Sequence, residues 1–158
     1  MSFFVLPTAS PAPKTKNIRP ISLAFAAVLV IMLVAQLFTF EEFPGLIASS
    51  WLLDDRTSSV VAASIVALEL LALPFLLQMR LSPAMRVVSM VAGWLVVSTW
   101  LIVSLCKNVV GDALHSVLLG ATIPLPEGWW SVLFCLALGI LAVWASWGMW
   151  PIKAKSAK

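Results

Sequence analysis

Four long apolar runs, 21–40, 60–77, 87–106 and 129–150, are separated by short polar connections along this chain. A helix rises about 1.5 Å per residue, so 18 residues reach roughly 27 Å, enough to cross the hydrocarbon core of a bilayer. Nine of the ten prolines lie outside the runs, where their missing N–H interrupts no helix. The pattern predicts an all-α integral membrane four-helix bundle. The stretch between the first two runs has a different period. Phe43, Leu46, Ile47, Trp51 and Leu53 fall roughly on one helical face, bracketed by Glu41, Glu42, Asp54 and Asp55. That spacing predicts a short interfacial helix, too short to span, with Trp51 as its anchor.

The flanks complete the organisation. Residues 1–20 carry four prolines, no acid, and Lys14, Lys16 and Arg19, which predicts an extended cytoplasmic tail. The first apolar run ends in Phe-Thr-Phe-Glu-Glu without a small-residue cleavage site and is too long for a signal-peptide core, so we read it as a retained span. Residues 21–150 form the membrane domain, and 151–158 form a second basic tail. The connection 107–128 has an apolar middle and two prolines, and is expected to fold back as a cap.

Composition supports this medium. Of 158 residues, 61% are hydrophobic and 11% charged, whereas soluble domains carry roughly a quarter charged residues. The net charge of +3 is segregated by side. Lys14, Lys16, Arg19, Arg80, Arg86, Lys153, Lys155 and Lys158 fall together with no acid. Glu41, Glu42, Asp54, Asp55, Asp112 and Glu127 fall opposite with Arg56 and Lys107. The positive-inside rule then places both termini in the cytoplasm of a bacterial-type inner membrane. Segregation also accounts for the basic balance, so nucleic acid is not an expected partner. Trp129 and Trp130 mark the outer interface with Trp51, and Trp147 and Trp150 the inner one. Ser89 with Gly93, and the series Gly139, Ala142, Ala145 and Gly148, offer small surfaces for close helix packing.

Candidate chemistry centres on Glu69, the one acid inside an apolar run. An ionisable group there costs at least ~2.5 kcal/mol on insertion scales, so it should face other helices or a wet cavity. Pro74 supplies no N–H for the carbonyl of Leu70, leaving a second polar group short of a partner nearby. Counting depth from the outer end puts Glu69 about 13 Å down, level with Ser98 and Thr99, its expected partners. A proton-handling or quinone-binding group and a neutral carboxylic acid bonded across helices both fit this placement. Cys106 and Cys135 are the redox candidates. A bridge needs Cα atoms within ~7 Å, and their offset in depth favours two small buried hydrophobes. Asp112 and His115 share a helical face, but no second histidine completes a metal site, so none is expected. The outer carboxylates read as a solvated rim. No complete catalytic constellation is evident, so the chain is not expected to be catalytic on its own.

The FxFEEFPGLIAS segment after the first span, the embedded glutamate followed by LLALPFLL, and KNVVGDALHSVLLGATIPLPEGWW leading into the fourth span together resemble the DoxX/MauE-like membrane proteins. That resemblance covers about 21–147. It implies an accessory, assembly or maturation subunit beside a larger redox complex, with other membrane subunits and the bilayer as partners. The MauE-like branch implies thiol–disulfide maturation, but its closely spaced loop cysteines are replaced here by Asn108, Val109, Val110 and Gly111. DoxX-like relatives imply association with quinone-linked respiratory oxidoreductases, and quinone is the cofactor they would bring.

Overall fold

A computed structural model of the chain describes residues 13–51, 54–110, 119 and 128–150. Among them are five helices and no strand: α1 (Ile18–Phe38), α2 (Phe43–Trp51), α3 (Asp55–Leu76), α4 (Pro83–Val110) and α5 (Trp129–Gly148). All but α2 are long and apolar enough to cross a membrane. Their outward positions are as apolar as the core, with Ile31, Phe38, Leu70, Ile102 and Ile140 all exposed. An aqueous surface of that kind would aggregate, whereas lipid covers it without cost. The chain is a multi-pass membrane protein.

Local chemistry sets the helix ends. Pro20 sits in the first turn of α1 and Pro83 opens α4, both at positions where no intrahelical N–H is needed. The Ser82 hydroxyl accepts the Met85 N–H at 3.2 Å and so caps α4. At the other end of α3, the Met79 N–H reaches the Pro74 carbonyl and the Gln78 N–H that of Phe75, the paired bonds of a Schellman stop. The stop needs a left-handed residue, usually glycine. Gln78 fills it at φ +57°, at a strain of about 1–2 kcal/mol. Its side chain compensates, since Nε2 lies 3.5 Å from Ser22 Oγ and 3.3 Å from Met149 Sδ, joining the ends of three helices. At the start of α5, Gly128 adopts φ +132°, which a side chain would resist. Its carbonyl accepts from Asn108 Nδ2 at 3.1 Å, tying α5 to the end of α4.

The helices pack in a ring, α1 against α3 and α5, and α4 against the same two, with α2 lying on α3. The core holds Phe25, Leu29, Met32, Val96, Trp100 and Leu138. The helix bounds depart from the apolar runs: α1 ends at Phe38 and α5 at Gly148, each two residues short of its run, while α3 and α4 extend beyond theirs. α3 begins at Asp55 rather than 60, and α4 covers Pro83–Val110 rather than 87–106. Lipid thickness selects where apolar residues sit, while backbone hydrogen bonding continues into the polar turns beyond it.

α3 and α4 meet through one hydroxyl. Ser89 Oγ accepts the Phe75 N–H at 3.0 Å and donates to the Leu71 carbonyl at 2.6 Å. A regular helix would join that N–H and carbonyl directly. Here, next to Pro74, a side chain from α4 inserts between them. Ser89→Ala is therefore expected to destabilise the protein by about 1–2 kcal/mol, read as a lower thermal midpoint in mild detergent, whereas Ser89→Thr should retain the bond. Gly93, one turn along α4, is less constrained, because a Cβ there would make ordinary contact with Ala72.

Candidate functional site

Glu69 lies about 20 Å along α3 from Asp55, deeper than a span starting at residue 60 would put it. It is fully buried. Gln36 Nε2 donates to Glu69 Oε1 at 3.1 Å, and Trp100 Nε1 donates to the same oxygen at 3.3 Å. Glu69 Oε2 has no hydrogen-bond partner among the described residues. One carboxyl oxygen thus gathers α1, α3 and α4, and the other stays available.

Helix direction explains how Gln36, close to the end of α1, reaches an acid near the other end of α3. Side chains on a helix lean toward its N-terminus. α1 and α3 run antiparallel, so Gln36 and Glu69 lean toward each other and together span the offset. Trp100, on α4, leans the same way as Gln36. Its indole N–H needs a buried acceptor and finds the Glu69 carboxyl oxygen. Phe43 of α2 packs beside Trp100, fully buried, with the two ring centroids 6.4 Å apart. The short helix therefore reaches the core rather than only resting on an interface.

Ser98 and Thr99 do not supply these bonds. Ser98 is exposed on the outer face of α4 and Thr99 half-buried. Ser98 lies about 200° around the helix from Trp100, so at most one of the two can face Glu69. Depth counting reached the correct turn of α4 and missed the face. The residue type would have found it, since a tryptophan inside an apolar run carries a donor that needs a partner.

The two cysteines are both free, Cys135 buried and Cys106 exposed. Cys135 Sγ lies 3.6 Å from Ser104 Oγ on α4. Cys106, two residues beyond Ser104, points to the opposite side of that helix. The pair is therefore not arranged for a bridge. Trp129 and Trp130 are exposed at one end of the bundle, Trp147 and Trp150 at the other. The Lys14 ammonium sits 4.6 Å from the Trp147 ring centroid, a cation–π contact. Trp51 belongs to α2, and its side chain lies outside the described residues, as do Asp112, His115 and the 111–118 and 120–127 parts of the expected cap. Among the described residues, no group of three metal-ligating side chains occurs.

Further polar side chains also join helices. Trp94 Nε1 donates to Ser146 Oγ at 2.9 Å, linking α4 to α5. Beside that bond lies a cavity of about 10 Å³, lined by Ser89, Ser146 and Gly93 among apolar residues. Glu69 does not line it. No protein-family model, no curated protein and no solved structure matches the chain.

Proposed function

We propose that this protein is an accessory subunit, serving assembly or maturation, of a larger redox complex in a bacterial-type inner membrane, with both termini cytoplasmic. One observation carries the reading: the interior polar groups act as ties between helices. Gln36 and Trp100 bond Glu69, Ser89 bonds α3, and Ser146 accepts from Trp94. A scaffold needs such ties, and it leaves an apolar exterior for neighbours. Trp94, Trp144 and Trp147 are exposed on that exterior and offer broad rigid contacts to another membrane subunit. The redox setting comes from the resemblance to DoxX/MauE-like proteins. Gentle detergent extraction should co-purify stoichiometric membrane partners. A monodisperse, partner-free protein extracted from its native membrane contradicts the proposal.

A second reading rests on Glu69 Oε2, the buried carboxyl oxygen with no bonded partner among the described residues. A quinone presents a hydrogen-bond acceptor and a quinol a donor, so one carboxyl oxygen could serve both by giving or taking a proton. On this reading the chain is a quinone-interacting subunit of an oxidoreductase. A quinone analogue should then raise the thermal midpoint of the wild type and do so less for Glu69→Gln. An unchanged midpoint in the wild type contradicts it. A thiol-redox role, the third possibility from the resemblance, requires loss of function in the Cys106→Ser, Cys135→Ser double variant.

A further inference from the structure

The crevice between α3 and α4 opens sideways into a groove of about 230 Å³. Leu68 and Leu71 form one wall, Val87, Val88, Val91 and Leu95 the other, and the lining is entirely apolar. Val88, Val91 and Leu95 are 44–48% exposed, so the groove faces the surroundings of the bundle and not its core.

One end of this groove is electrically distinct. Val87 and Val88 adjoin the short connection between α3 and α4, which carries Arg80 and leads into Arg86. Arg80 is exposed, while Arg86 is buried and donates from Nη2 to the Leu81 carbonyl at 3.2 Å. The start of α1 lies at the same end, joined to α3 through Gln78 and Ser22. Lys14, Lys16 and Arg19 share this end of the bundle on the α1 side, with Lys14 against Trp147 of α5, so Arg80 and Arg86 are the cations beside the groove itself. Among the described residues no acid lies at this end. Glu41, Glu42, Asp54 and Asp55 fall at the other, and Glu69 is inside the bundle. An apolar slot thus runs up to a cationic, acid-free rim.

We propose that the groove is a selective site for an anionic phospholipid, with an acyl chain along the slot and the phosphate-bearing headgroup at the rim beside Arg80. Such a site requires only the membrane setting and is independent of either role of Glu69. A zwitterionic lipid would fill the slot equally well but gain less from the rim, since its own cation opposes the guanidinium groups. A packed partner helix is disfavoured by the walls, because close helix approach uses small residues and this groove presents mainly leucine and valine. Basic recesses between membrane helices favour anionic headgroups through the same fields that hold basic segments at anionic leaflets. Guanidinium adds planar, multidentate hydrogen bonding to phosphate.

The experiment is lipid titration of the delipidated full-length protein, followed by native mass spectrometry, using phosphatidylglycerol and phosphatidylcholine of identical acyl chains. Expected is one tightly held phosphatidylglycerol per chain, bound at least tenfold more tightly than phosphatidylcholine. Arg80→Gln, exposed on the surface, should shrink that preference several-fold, with a much smaller loss of phosphatidylcholine binding than of phosphatidylglycerol binding. Val91→Trp, which fills the slot from an exposed position, should reduce retention of both lipids. Circular dichroism of each variant establishes that it is folded before its binding is compared. Equal affinity for the two lipids overturns the proposal. So does unaltered retention in folded Val91→Trp, or a protein dimer in which this groove is occluded by a second copy.

Discussion

Glu69→Ala is expected to lower stability by about 2–4 kcal/mol, and Glu69→Gln by less than about 1 kcal/mol. The alanine variant removes the one oxygen that both Gln36 and Trp100 address. Two buried donors on two different helices then lose their acceptor at once, and water does not replace it in a lipid-surrounded core. Interhelical hydrogen bonds in membranes are individually modest, averaging about 0.6 kcal/mol by double-mutant cycles. The expected size therefore comes from stranding two donors and emptying a packed site, not from one bond. Glutamine preserves an acceptor oxygen and the side-chain volume. Equilibrium unfolding or thermal midpoints in the same detergent read the difference. An alanine variant as stable as the wild type would show that the carboxyl does not hold these helices together. The glutamine variant also separates two roles, because it keeps the tie while removing a titratable proton. If it is stable yet inactive in its complex, Glu69 handles protons.

The second large effect is expected at Gly148. A Cβ built there falls onto the Ile18 side chain, with Cγ1 at 2.5 Å and Cγ2 at 2.6 Å, and Cδ1 nearer still. Ile18 is itself buried and β-branched, with little rotamer freedom to withdraw. Gly148→Ala should therefore cost about 1–3 kcal/mol through overpacking where α5 closes on α1. Trimming the obstacle should recover much of that loss. Ile18→Ala together with Gly148→Ala is expected to be less destabilised than the sum of the two single variants, a coupling that a double-mutant cycle measures. Additive losses would mean that the two residues do not meet.

These two sites differ in how much of each a reader of the sequence could see. Gly148 stood in a series of small residues at intervals of three, and the small-residue rule for membrane helices marked it directly. The four spans were legible for a similar reason, since lipid admits only long apolar helices and four such runs are present. Helix ends were less legible. Residues 55–59 are polar, yet α3 includes them, because hydropathy reports the lipid and not the hydrogen-bond ladder. Glu69 stood out as the lone acid in its run, but its bonds were not deducible by counting depth. Depth counting treats helices as vertical and side chains as horizontal. In the bundle, Gln36 and Glu69 lean toward each other along antiparallel helices, so residues at unequal depth meet. Gln36 lies near the end of α1, where an amide costs little in water, so its position alone did not mark it as a core residue. Ser89 was visible as a small residue, whereas its hydroxyl's place in the α3 break depends on the register of two helices.

Four crossings place the starts of α1 and α4 and the ends of α3 and α5 at one membrane face. Labelling of single cysteines with a membrane-impermeant maleimide, in a background lacking Cys106 and Cys135, tests this most directly. In inverted and right-side-out vesicles, Lys16→Cys and Arg80→Cys are predicted to react from the same side, and Glu41→Cys only from the opposite one. Reaction of Lys16→Cys and Glu41→Cys from a single side would contradict the account.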